Sequence, residues 1–325
     1  MGFLEWLWGI GSSAFGSSTA EQVTQGIDAS HLTAIVTEAS SGIGRETARV
    51  LALRGAKVII PSRTLDSGLK VQQRLLEENP NAKLHVMEMD LSSLDSVDSF
   101  ARSFTSSHEH LNILINNAGI FGCPFQLSKD GIELQFATNH LGHFLLTKLL
   151  LNKMKATAKQ TGIQGRIINV ASNTHHRSDA SFFDVDTIND KSKYNRLVAY
   201  GHSKLANILH ANALSKYLKE EGSNLTANSL HPGIVPTNIV RYINLNTTLL
   251  KILAFVAQPI LKSIPEGAST ICYLALHPKV KGVTGKYFIN CKEAIPSKQA
   301  RDEDLAIKLW EFSEELLKRS NKKVS

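Results

Sequence analysis

The stretch Leu32-Thr-Ala-Ile-Val-Thr37-Glu-Ala-Ser-Ser-Gly-Ile-Gly44 decides the fold. Its first six residues form a short, apolar, β-rich run, and a glycine-containing turn follows. A helical pattern then runs from Ile43 to Arg54 and stops at Gly55, a residue that ends helices well. The alternation continues along the chain. Lys57–Ile60 reads as the second strand and Leu65–Glu78 as the second helix. Leu84–Met89, Leu111–Ile115, Arg166–Val170, Leu225–Leu230 and Lys286–Ile289 read as further strands. Strands alternating with helices predict an α/β fold with a doubly wound parallel sheet of about seven strands. No internal repeat or low-complexity linker interrupts it. One domain therefore spans Ala29 to Ala294, with an N-terminal extension (1–28) and a C-terminal helix and basic tail (295–325) at its flanks.

At 325 residues the chain is long enough for one large domain with a substantial core. A hydrophobic content of 42% and a charged content of 20% are those of a soluble globular protein. The net charge of +7 suits an anionic cofactor or a membrane surface. No basic-aromatic interleaving or nucleic-acid module appears, so nucleic acid is not an expected partner. Cys123, Cys272 and Cys291 are scattered, with no metal or disulfide spacing, which fits a reducing compartment. Met1 to Ile10 is rich in Trp, Phe and Leu but too short to span a bilayer. It is a candidate interfacial anchor, or a helix that packs onto the domain.

The turn from Thr37 to Gly44 lies where a doubly wound sheet presents backbone N–H groups and the positive helix end to a dinucleotide's phosphates. An acid about 20 residues on usually takes the ribose 2′-hydroxyl of NAD. Here the second strand ends Ile60-Pro61-Ser62-Arg63 instead. Arg63, with Arg45 just past Gly44, favours a 2′-phosphate, so NADP(H) is expected over NAD(H). Asp66 is a rival acid but lies inside the next turn.

Tyr200-Gly201-His202-Ser203-Lys204 sits in a helical stretch from Ala199 to Leu218. Tyr200 and Lys204, four apart, share one helix face. An ammonium beside a phenol favours the phenolate and is expected to pull its pKa toward neutrality, as a proton donor or acceptor requires.

Together these segments resemble the classical short-chain dehydrogenase/reductase family, with its Rossmann-type fold. Thr37–Gly44 resembles the family's T-G-x-x-x-G-x-G, and Asn116-Asn117-Ala118-Gly119 its N-N-A-G. Asn139, Ser172, Tyr200 and Lys204 fall where the family keeps its catalytic set, and Pro232-Gly233 follows the sixth strand. The long gap from Ser172 to Tyr200 resembles the retinol-dehydrogenase-like branch. Ser18–Asp28 resembles plant Tic-type dehydrogenases of the chloroplast inner-envelope translocon, a subgroup linked to NADPH and calmodulin.

The resemblance implies that Tyr200 donates a proton to a carbonyl oxygen, with Lys204 lowering its pKa and binding the nicotinamide ribose. It implies that Ser172 hydrogen-bonds the substrate oxygen and that Asn139 holds a water. Cofactor contacts are implied for Thr37, Ser40, Ser41, Gly42, Ile43, Gly44, Arg45 and Arg63 on the phosphate side. Asp90 and Leu91 should meet the adenine. Asn116 should serve the cofactor-side backbone, with Asn117, Ala118 and Gly119 beside it. Pro232, Gly233, Val235 and Thr237 should meet the nicotinamide end. A homo-oligomer formed through the long helices is also implied.

One residue departs from that pattern: Glu38 stands where the family has the first glycine of its turn. A left-handed backbone there costs a non-glycine residue about 1–2 kcal/mol. A carboxylate about 4 Å from a phosphate adds repulsion on the order of 4 kcal/mol. Three readings stay open: an enzyme with the side chain turned outward, a weakened or engineered variant, and a cofactor-sensing or scaffold protein. The segment about 234–264 usually covers substrate. Its apolar Leu249–Ala257 and Ile260-Leu261 predict a hydrophobic substrate or peripheral membrane contact, or else a packed lid. Leu305–Arg319 is an amphipathic helix that fits calmodulin, or that docks on the sheet; Glu311, Glu314 and Glu315 weigh against calmodulin.

Overall fold

The structure, a computed structural model, describes residues 18–179, 181–236 and 261–321. The Met1–Ile10 segment, Thr237, and the 249–257 and Ile260 parts of the substrate segment lie outside the described residues. The sheet strands are β1 (Thr33–Val36), β2 (Lys57–Ser62), β3 (Lys83–Glu88), β4 (Ile113–Asn116), β5 (Gly165–Val170), β6 (Leu225–His231), β7 (Tyr287–Ile289) and β8 (Lys292–Ala294). The main helices are α1 (Ala20–Val23), α2 (Gly42–Leu53), α3 (Leu65–Glu78), α4 (Leu94–Ser107), α5 (Gly142–Thr161), α6 (Arg196–Glu220), α7 (Ile264–Leu276) and α8 (Glu303–Asn321).

Strand side chains alternate faces, and the sequence uses both. Ala34, Val36, Val58, Ile60, Ile113 and Ile115 pack with Leu51 of α2, Val71 of α3 and Ile271 of α7. Ile35, Ile59, Leu114 and Ile167 turn the other way, onto Phe100 of α4, Leu150 of α5 and Leu214 of α6. Burying each such large apolar side chain contributes about 1.5–3 kcal/mol. Both faces being apolar is why these strands read as continuous hydrophobic runs. The sheet order is β3-β2-β1-β4-β5-β6-β7-β8, parallel except for β7 with β8. The order reverses between β1 and β4, which opens a crevice at the strands' C-terminal ends.

The expected seven strands are there, and β8 adds an eighth. Asn290 and Cys291 both take positive φ, +54° and +60°, and join β7 to β8 in a two-residue hairpin. Without a glycine in that loop the hairpin left little local signal. At the N-terminal flank, Ala20 of α1 is buried with Val50, Ala268 and Cys272. At the C-terminal flank, Leu309, Phe312 and Leu316 of α8 are buried in a core shared with Leu205 and Leu209 of α6. The apolar face read as a calmodulin target is thus packed against α6. No helix among the described residues is long and apolar enough to cross a membrane.

Candidate active site

The turn after β1 is held from below by one hydroxyl. Thr37 Oγ1 accepts from the backbone N–H groups of Asn117 and Ala118, each at 2.9 Å, and lies 2.9 Å from His143 Nε2. His143 Nδ1 is 3.0 Å from the Asn139 carbonyl, which can only accept. Nδ1 therefore carries the proton, and Nε2 accepts from the Thr37 hydroxyl. Burial drives the His143 pKa down to about 4, against the raising effect of its Asn139 bond, so the ring stays neutral. Asn117 Nδ2 also donates to the Thr37 carbonyl at 2.9 Å. Loop and turn are thereby locked together at the crevice.

Above that anchor the backbone comes close to itself. A Cβ on Gly44 would lie 2.2 Å from the Glu38 carbonyl oxygen and 2.5 Å from Asn117 Nδ2, so only glycine fits. Ser41, the residue before α2, makes no side-chain cap bond, and the first N–H groups of the helix stay available to a ligand. Glu38 takes φ +56°, the left-handed region. Its side chain turns inward rather than to solvent: Gly119 N–H donates to Glu38 Oε2 at 2.8 Å.

The catalytic wall is assembled by a second close approach. A Cβ on Gly201 would lie 2.9 Å from the Thr174 carbonyl, so glycine lets α6 pack against the short helical turn Asn173–Arg177. That contact brings Ser172, which caps the turn by accepting from Thr174 N–H, to the Tyr200 side of α6. Tyr200 is buried, and Phe121 meets it edge-on at 4.7 Å. Lys204, only 2% exposed, donates from Nζ to the Val170 carbonyl at 3.0 Å and sits 5.4 Å from the Tyr200 ring centre. Asn139 lies in a π-helical turn, Ala137–Leu141. Its side chain bonds both Ile120 backbone groups and donates to Ser203 Oγ at 3.0 Å.

The electrostatics correct one expectation. Burial pushes the Tyr200 phenol above its ordinary value; a Ser172 hydrogen bond pulls it down, and the Glu38 carboxylate pushes it up again. Burial also lowers Lys204 to about 8, with Glu38 acting the other way. In this water-poor wall, desolvation outweighs the expected lysine effect on the phenol.

Two adjoining cavities form the groove. Ser41, Gly42, Ile43 and Gly44 line the first with Asn117, Ser172, Tyr200, Lys204, Pro232, Gly233 and Val235. Ser40, Arg63, Asp90, Leu91 and Ala118 line the second, beside Ser62 and Ser67. Glu38 and Gly119 line both. Thr37, Asn116 and Asn139 stand behind the walls, buried, with Asn116 bonded to Thr147 and Asn169. Arg45 does not join the site; it pairs with Glu78. Asp66 pairs with Lys70 at 2.8 Å, exposed, and is no rival acid in the groove.

Two wall residues escaped the sequence reading. His231 ends β6 in the first cavity, buried, with neither ring nitrogen bonded among the described residues. Ser62 Oγ is likewise buried and unbonded beside Arg63. Both adjoin motif residues, Pro232 and Arg63, which was the only available signal. The close-packed Gly44 cradle, the uncapped start of α2 and these waiting polar groups fit a nicotinamide dinucleotide. Glu38 is the exception.

A family model described as short chain dehydrogenase matches residues 32–248. The chain is 53% identical over 308 residues to the short-chain dehydrogenase TIC 32 B, chloroplastic, of Brassica napus, covering 94% of this chain and 95% of that one. It is 41% identical over 295 residues to retinol dehydrogenase 14 of Homo sapiens, covering 87% and 85%. Among solved structures, an uncharacterized protein from Mycobacterium paratuberculosis aligns with a TM-score of 0.71 and 30% identity, over 93% of this chain and 98% of that one. These likenesses run through sheet and groove alike, and the chain belongs to the short-chain dehydrogenase family, whose members are nicotinamide-dependent oxidoreductases.

Proposed function

We propose that the chain interconverts a carbonyl and an alcohol on a hydrophobic substrate, with NADP(H) as its cofactor. One observation carries this: Ser172, Tyr200 and Lys204 share a cavity whose remaining wall includes Phe121, Val170, Ala171, Ile234 and Val235. A bound nicotinamide supplies or takes up hydride at the substrate carbon. The Tyr200 phenol, kept protonated by burial, donates to the carbonyl oxygen as that oxygen gains charge, and takes the proton back in the reverse direction. Ser172 stabilises the same oxygen with a preorganised hydroxyl. Lys204, pinned to Val170, places its ammonium behind the phenol. Asn139 positions rather than reacts: its side chain is spent on Ile120 and Ser203, and its carbonyl keeps one lone pair free beside His143.

Arg63 and the unbonded Ser62 hydroxyl support NADP(H), since both line the second cavity at the end of β2. Asp90, in the same cavity, accepts from Ser92. The 53% identity to a chloroplastic relative supports a chloroplast location. The inward Glu38 favours a second reading, a cofactor-sensing or scaffold protein with weakened binding. Screening hydrophobic aldehydes and ketones for NADPH oxidation separates the two. Turnover that disappears in Tyr200→Phe supports the enzyme; NADPH binding without turnover on any of them supports the scaffold.

A further inference from the structure

We infer that the Glu38 carboxylate is an internal competitor for the cofactor, an anion of the chain's own lying where the dinucleotide's diphosphate must cross. The inference rests on the proposed NADP(H) reading and deepens it.

The geometry is specific. Among the described residues Glu38 and Gly119 alone line both cavities, so they mark the passage between the phosphate-and-nicotinamide side and the adenosine side. Glu38 takes a left-handed backbone, and the residue lines that passage on both sides. There its Oε2 takes the Gly119 N–H at 2.8 Å, a backbone donor on the groove wall. The carboxylate is close enough to bias both Tyr200 and Lys204, so its charge reaches the catalytic wall. Arg45, the cation that follows Gly44 in the turn, pairs with Glu78 instead. A diphosphate drawn to the uncapped start of α2 beside Glu38 carries the same sign. The two anions therefore exclude one another. Cofactor enters only as Glu38 swings away, and its affinity is lowered by the energy of that displacement.

Residue 38 thus sets cofactor affinity, and its effect should be confined to ligands that carry the diphosphate. Binding to the full chain is measured calorimetrically for NADPH and for adenosine 2′-monophosphate, which lacks the diphosphate. Wild type is compared with Glu38→Gly, which suits the left-handed backbone, and Glu38→Gln, which keeps the shape without the charge. Thermal unfolding of each variant checks the fold. Glu38→Gly should bind NADPH on the order of 10- to 1,000-fold more tightly, and Glu38→Gln should gain by a smaller factor. Adenosine 2′-monophosphate should bind all three within about threefold. Equal NADPH affinities, or weaker binding by Glu38→Gly, would overturn the competitor role while leaving the cofactor reading intact. An equal gain for the monophosphate would overturn it too. If no form binds NADPH, the inference and the cofactor reading fall together.

Discussion

The catalytic wall and the phosphate turn face each other across one groove but are built differently. The wall draws Asn139, Ser172, Tyr200 and Lys204 from three separate stretches of chain, and each is braced by neighbours: Ile120, Thr174, Phe121 and Val170. The turn is local, the five residues Thr37–Ser41 between β1 and α2, and its one irregular member projects into the groove. A braced wall tolerates little change without losing chemistry. A local turn can change cofactor affinity by one side chain while the fold around it stays put.

That contrast can be broken experimentally. Tyr200→Phe should cut carbonyl reduction by about 100- to 10,000-fold while leaving NADPH affinity within a few-fold, read by steady-state kinetics beside calorimetry. A parallel loss of binding would mean that wall and turn are not separable.

Lys204→Met tests what the wall costs the fold. Burial holds the folded Lys204 at about 8, below its ordinary 10.5. Between those values the unfolded chain binds more protons, so stability rises with pH across that window. Below pH 8 the penalty of a buried ammonium is present in full; above 10.5 it is gone. The methionine variant should therefore be more stable than wild type at pH 7 by on the order of 1–3 kcal/mol, and inactive. The difference should shrink as pH rises from 8 toward 10.5, measured by denaturant unfolding. A constant gap would mean that burial does not govern this lysine.

His143→Phe probes the turn from beneath. Losing the acceptor for the Thr37 hydroxyl should destabilise the fold by about 1–3 kcal/mol and weaken NADPH binding several-fold. The smallest effect belongs to His231→Leu. Both nitrogens of that buried ring lack partners among the described residues, so its removal should leave ligand-free stability within about 1 kcal/mol, or slightly higher. A large loss there would show that the ring is held by a bond the described residues do not supply.

Much of this architecture was legible in advance. The strand runs, the Leu65–Glu78 helix and the Tyr200 helix are local patterns of apolar spacing, and the folded chain keeps them to within three residues at each end. The β7–β8 hairpin was not legible, because Asn290 and Cys291 adopt a conformation normally signalled by glycine. The pairing of Arg45 with Glu78 was not legible either, because Glu78 sits at the far end of the next helix. His143 and His231 carried no motif signal, since what they do is set by neighbours distant in the chain.

By itself the sequence determined the order of strands and helices, the glycine-containing turn after the first strand, and the helical spacing that puts Tyr200 and Lys204 on one face. All of these follow from short-range sterics and periodicity. Tertiary structure alone decided the direction of the Glu38 carboxylate, the upward push on Tyr200 and the downward push on Lys204. Those depend on how much water and charge surround a group, and such surroundings are made by residues distant in the chain.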